Sequence, residues 1–112
     1  MPEPAIVVQK AYDLTLWILP KAQRLPQNYR HTLGQHLVTT ALDLLASLVD
    51  AMYETSKPAP LAEAVRHVNR LRYLIRLAKD LKLLTLDSHE FAARALDEIG
   101  RMAGGWRKAV KS

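Results

Sequence analysis

The sequence predicts an all-α protein, an antiparallel up-down-up-down four-helix bundle. Three observations carry this: apolar residues recur with helical period in four stretches, no stretch alternates with period two, and the connectors are short. At 112 residues the chain is expected to form one domain over 1–112, long enough to bury a core without a disulfide or metal. It has no Cys, which removes disulfides, thiolate metal sites and cysteine nucleophiles and fits a reducing, cytoplasmic setting. Met1-Pro2-Glu3-Pro4 lacks the basic and apolar regions of a secretion signal. The longest apolar stretch, around Leu14 to Leu19, is too short for a membrane span.

The first helix is read from Val7, Ala11, Leu14 and Ile18, with Pro20 ending it or kinking its last turn. Leu25-Pro26-Gln27-Asn28 reads as a turn in which Asn28 caps the next helix. The second helix carries Leu33, Leu37, Ala41, Leu44, Leu48 and Met52 and ends near Thr55, with Gly34 leaving room for a neighbouring backbone. Lys57-Pro58-Ala59-Pro60 is a stiff connector, and Pro60 suits the first turn of the third helix, whose stripe is Leu61, Val65, Val68, Leu71, Ile75 and Ala78. Thr85 or Asp87 caps the fourth helix, Asp87 having Glu90 at capping-box spacing. Its stripe is Ala92, Leu96, Ile99, Ala103, Trp106 and Val110. Trp106 is expected to pack in the core or at an interface. Gly104 and Gly105 cost a helix roughly 1 kcal/mol each, so a close backbone approach is expected there.

Two features exceed what a monomeric bundle needs. Val8, Tyr12, Leu16 and Leu19 form a second apolar row on the first helix, and Leu74, Leu77, Leu81 and Leu84 widen the third. Either the core faces are broad, or the rows meet a partner, most economically another copy of the chain. The second feature is charge. The chain is formally +5, and from Ala64 to Leu84 six Lys or Arg face one acid, Asp80. Arg72, Arg76 and Lys79 fall at i, i+4 and i+7 and form one stripe; Arg66 and Arg70 make a second row, and Arg94, Arg101, Arg107 and Lys108 a third on the last helix. Such a surface suits phosphates, with Arg as a planar fork and Lys as a point charge. A solvated face is the bland alternative, with Arg76 paired to Asp80 and Asp97 or Glu98 holding Arg94 or Arg101. Aromatic residues are few, so backbone and shape recognition is expected, without a base code.

The segments Arg72-Tyr73-Leu74-Ile75-Arg76-Leu77-Ala78-Lys79-Asp80-Leu81 and Asp97-Glu98-Ile99-Gly100-Arg101-Met102-Ala103-Gly104-Gly105-Trp106, together with Tyr12-Asp13-Leu14, Trp17-Ile18-Leu19-Pro20-Lys21 and Tyr29-Arg30-His31-Thr32-Leu33-Gly34-Gln35, resemble the accessory variability determinant (Avd) proteins of diversity-generating retroelements. These are related to the four-helix proteins of ribosomal-RNA intervening sequences. The resemblance runs from about Tyr12 to Lys108. It implies a basic homopentamer that associates with the retroelement's reverse transcriptase and with its structured RNA or RNA/cDNA during mutagenic cDNA synthesis, without being an enzyme, a membrane protein or a cofactor carrier. The acids Asp13, Asp43, Asp50 and Glu54 lighten the charge of the first two helices, a departure from a uniformly basic surface.

An enzymatic reading rests on Arg30 and His36, whose spacing resembles the Arg/His motif of HEPN ribonucleases, with His36 as acid or base and Arg30 on the phosphate. In that family the motif belongs near the last helices, whereas here it opens the second. Glu63 and His67 have i, i+4 spacing without a third metal ligand, which reads as a surface hydrogen bond. A protein-only adaptor that grips the polymerase through its apolar rows and arginines is the remaining alternative.

Overall fold

A computed structural model describes residues 4–54 and 58–111. Helix α1 spans Pro4–Gln23, α2 Gln27–Arg30, α3 Leu33–Tyr53, α4 Pro58–Asp80 and α5 Leu86–Lys111. The four long helices match the four expected stripes, and α2 is a single extra turn. Nearly every stripe residue is buried. Met52, Val65 and Val110, at the stripe margins, are half-buried, while Trp106 closes the core at 2% exposure.

Around the bundle the order is α1, α3, α4, α5, each long helix packing on two neighbours. Cross-helix contacts run in opposite chain directions, which makes neighbours antiparallel. Lys10 meets Glu98 while Lys21, near the other end of α1, meets Ser88. Gly34 at the start of α3 lies against Ala22 at the end of α1. The body measures 45 × 23 × 18 Å. Two buried hydroxyls are satisfied locally: Thr15 donates to the Ala11 carbonyl at 2.8 Å and Ser47 to that of Asp43 at 2.8 Å.

Several local expectations are revised by the backbone. Pro20 stays inside α1, and Arg24 donates to its carbonyl at 3.2 Å as the helix closes. Asn28 is not a cap but lies within α2, whose first carbonyl acceptor is Pro26, reached by Tyr29 and Arg30 at 2.8 and 3.0 Å. The helix end expected near Thr55 and the connector residue Lys57 fall outside the described residues; α3 closes through Glu54, which donates to Asp50 at 2.8 Å. Pro60 does sit in the first turn of α4. Thr85 caps α5, its hydroxyl accepting from the Ser88 N–H at 3.0 Å, so Asp87 stands in the first turn and favours the helix dipole.

The end of α4 follows a Schellman pattern. Lys82 donates to Lys79 and Leu83 to Ala78, both at 2.8 Å, with Lys82 at φ 63° where glycine is usual. Gly34 is needed for the corner before α3: a Cβ there would lie 3.2 Å from the Ala22 carbonyl and 3.4 Å from that of Tyr29. Gly104 has no such reason within the chain, since a Cβ on it meets nothing within 4 Å. At Gly104, then, the expected close approach is not made within the described chain.

The second apolar rows are only partly core. Val8, Leu19, Leu74 and Leu84 are half-buried, whereas Tyr12, Leu16, Leu77 and Leu81 are exposed, joined by Leu42 and Tyr73.

Candidate nucleic-acid interface

The predicted cations do not form one patch; the bundle distributes them over three sides. Arg72 crosses from α4 to α5 and places Nη2 3.5 Å from the Asp97 carboxylate. It can do so because residue 100 is glycine: a Cβ there would lie 2.7 Å from that same Nη2. Lys79, seven residues on, shares this α4/α5 seam by helix geometry, and Arg76 stands next to it. Both approach Asp80 at 3.9 Å. Arg66 lies 3.6 Å from Glu63. Arg70 instead turns toward α3 and lines the α3/α4 groove with His36, Thr40 and Tyr73.

On α5, Arg94 pairs with Glu90. It borders the α1/α5 cleft with Lys10, Asp13, Asp87, Phe91 and Glu98, a space of about 530 Å³. Arg101 and Lys108 are exposed, and Arg107 is half-buried. The expected pairing of Asp97 or Glu98 with Arg94 or Arg101 is thus replaced, since Asp97 is taken by Arg72 and Glu98 by Lys10. The Lys10 hydrogen bond and charge hold the Glu98 carboxyl below its ordinary value, with the Arg101 charge contributing. Arg70, Arg101 and Arg107 form no ion pair among the described residues.

These pairs are weak restraints. Arg72, Arg76 and Arg94 have side chains 43%, 64% and 78% exposed, and exposed pairs are worth about 0–1 kcal/mol. A phosphate can displace the carboxylates at little cost. The α4/α5 side therefore holds Arg72, Arg76 and Lys79 as cations that are positioned yet exchangeable.

The nuclease residues are separated by their local roles. Arg30 donates its Nε to the Leu25 carbonyl at 3.3 Å, which ties it to the α1–α2 corner, while His36 lines the α3/α4 groove. The expected Glu63–His67 hydrogen bond does not form. Glu63 meets Arg66, and His67 Nδ1 is buried without a partner. Burial lowers the His67 pKa from its ordinary 6.5, opposed by the charges of Asp43 on α3 and Glu63 and assisted by Arg70 and Arg66. Among the described residues no cluster could hold a metal ion, and no helix is long and apolar enough to cross a membrane.

A family model described as bAvd-like matches residues 5–110. The chain belongs to the bAvd-like family. That membership bears out the resemblance read from the sequence and makes this an Avd-like accessory protein. A crystal structure of a protein of unknown function from the S23 ribosomal protein family of Bacteroides thetaiotaomicron superposes with a TM-score of 0.86 at 16% identity, covering 94% of this chain and 97% of that one. At that identity the likeness concerns the four-helix fold. No curated protein matches the chain.

What the sequence did not disclose about this bAvd-like surface is the bridge from Arg72 to Asp97 over Gly100. An Arg on one helix and a Gly and Asp three apart on the next are its only signal.

Proposed function

We propose that this protein is a non-enzymatic accessory factor of a diversity-generating retroelement, working in the cytoplasm as a basic homo-oligomer, a pentamer in the family pattern. It holds the reverse transcriptase together with its structured RNA or RNA/cDNA and so supports mutagenic reverse transcription. Membership of the bAvd-like family over residues 5–110 carries the reading. The exchangeable cations of α4 and α5 supply its chemistry: phosphates replace exposed carboxylates around Arg72, Arg76 and Lys79, and Arg101 and Arg107 add cations that no described carboxylate holds in an ion pair. Aromatic residues are few, so the RNA is expected to be recognised by backbone and shape, without a base code.

Binding of purified protein to a structured RNA, without polymerase, across a salt series tests this. With about four phosphates neutralised per protomer, log affinity should fall against log salt with a slope of about −3 to −4. A slope near zero overturns direct contact. Binding seen only when polymerase is present would mean an adaptor whose arginines grip protein. Cleavage of RNA in the absence of metal, lost in His36→Ala, would overturn the non-enzymatic assignment.

A further inference from the structure

Among the described residues the buried polar side chains are Thr15, Thr40 and Ser47, and one of them is left unused. Thr15 and Ser47 turn their hydroxyls back onto carbonyls one turn earlier, at 2.8 Å each. The Thr40 hydroxyl, on a residue only 9% exposed, makes no hydrogen bond among the described residues and lines the α3/α4 groove instead. That groove has a volume of about 660 Å³, within the range of sites that hold small organic ligands. Arg70, Asn69 and His36 also line it, and none of the three side chains has a hydrogen-bond or ion-pair partner among the described residues. No carboxylate borders it.

We propose that this groove binds one nucleoside monophosphate, free or as the unstacked end of a strand, with its phosphate on Arg70, Thr40 and Asn69 and its base over Tyr73, Leu74 and Leu77. The site lies on a different side of the bundle from the α4/α5 seam. It goes beyond the proposed function and does not rest on it, since a free nucleotide is enough to fill it.

The helix register puts the groups in that order. Helices α3 and α4 are antiparallel, and Leu37 stands level with Ile75 and Ala78, with which it shares a small cavity. Thr40, about one turn further along α3, is therefore level with the turn from Arg70 to Tyr73, and His36 is beside Leu77. Roughly 10 Å of groove separates Arg70 from the level of His36, the span of a nucleotide from phosphate to base edge. At one end the Arg70 fork, the Asn69 amide and the Thr40 hydroxyl supply N–H and O–H donors for an anion with several oxygens. The middle is apolar, with Leu74 half-buried as a floor and Tyr73 and Leu77 exposed as a rim on which a flat ring can lie. At the far end a neutral His36 imidazole presents one donor and one acceptor, the complement of a base edge.

Simpler occupants leave part of the groove unanswered. An inorganic anion would leave Tyr73, Leu74 and Leu77 in water, and a fatty carboxylate would leave His36 without a partner. The scarcity of aromatic residues argues against a platform for several successive bases, but one base needs only one ring and an apolar floor. A nucleotide also accounts for Thr40, because a buried hydroxyl without a partner costs stability until a ligand completes it.

Isothermal titration calorimetry of the full chain with adenosine, guanosine, cytidine and uridine monophosphates tests this, with adenosine, inorganic phosphate and octanoate as controls. At least one mononucleotide should bind once per protomer, and each control at least about tenfold more weakly. Arg70→Gln should lower the affinity about tenfold or more. Lys10→Gln, which removes a charge from the opposite α1/α5 side, should leave it unchanged. Thr40→Val replaces an unpaired hydroxyl by a methyl of the same shape, so it should weaken nucleotide binding several-fold while leaving the thermal melt unchanged or raised. Absence of mononucleotide binding, equal binding of phosphate or octanoate, or parental affinity in Arg70→Gln or Thr40→Val overturns the proposal. Competition then separates the two sources. Displacement by an RNA with an unpaired end but not by a blunt duplex identifies strand ends as the ligand, and displacement by neither identifies the free nucleotide; displacement by both would make the groove a duplex-backbone contact and overturn the pocket. A flat RNA salt slope beside intact mononucleotide binding would sink the proposed function and leave this site standing.

Discussion

The Arg72–Asp97 bridge allows the proposed anion surface to be tested in both directions. Its partners are 3.5 Å apart and largely solvated, so Arg72→Ala should cost less than about 1 kcal/mol of fold stability. The binding effect should be larger. Losing one phosphate contact lowers the salt slope by about 0.9 for a duplex target, which is about a 3.5-fold smaller loss of affinity over a fourfold rise in salt. Asp97→Asn works the other way. A carboxylate roughly 7 Å from a phosphate costs about 0.6 kcal/mol in water, so removing it should tighten RNA binding about threefold, most visibly at low salt. The gain should shrink in the Arg72→Ala background, because part of it comes from releasing the guanidinium. Fluorescence anisotropy with a labelled structured RNA at several salt concentrations measures all four corners of the cycle. If Arg72→Ala leaves the slope unchanged and Asp97→Asn leaves the affinity unchanged, the α4/α5 seam is not where the anion binds.

The remaining expectations concern the scaffold. Gly34→Ala should destabilise by about 1–3 kcal/mol, because its Cβ presses on two backbone carbonyls, whereas Gly104→Ala, opening into free space, should stabilise by about 1 kcal/mol; thermal melts at fixed protein concentration should separate the two signs. Lys82→Gly should raise stability by about 1 kcal/mol in a urea titration, since it relieves a non-glycine residue at φ 63°. His67 sets an acid-side dependence: its folded pKa lies below 6.5, so the unfolded chain takes up the proton first and stability declines as pH falls through 6.5, levelling once the folded imidazole also titrates. A denaturation series compared with His67→Gln should show that decline only in the parent, with Asp43, Glu63, Arg66 and Arg70 unchanged around the site.

The fold was legible because helical period is a property of sequence alone: Val7, Ala11, Leu14 and Ile18 had to share a face wherever the helix packed. The second apolar rows were legible for the same reason, though only the structure separates Leu74, which packs, from Leu77, which does not. Features that depend on a second helix could not be read. Nothing local pairs Arg72 with Asp97, or distinguishes Gly34, crowded by carbonyls, from Gly104, crowded by nothing. The stop of α4 was hidden by Lys82, which takes the left-handed conformation without being glycine. Thr85 and Asp87 were equally good caps on paper, and the choice followed from where α5 leaves the Schellman turn.

A stripe of like charges on one helix is costly only while nothing answers it, and here Arg76 and Lys79 share Asp80 while Arg72 borrows Asp97 from the next helix. Each answer is solvent-exposed and therefore cheap to exchange. Burying these pairs would have made their release cost several kcal/mol, which a phosphate contact could not offset. Leaving the cations without acids would have strained the isolated helix through repulsion. The observed compromise answers the charges of α4 with carboxylates that an anion of the proposed kind would displace at little cost, which is why the Asp97→Asn arm, and not only the loss of an arginine, is the sharper probe of the proposed function.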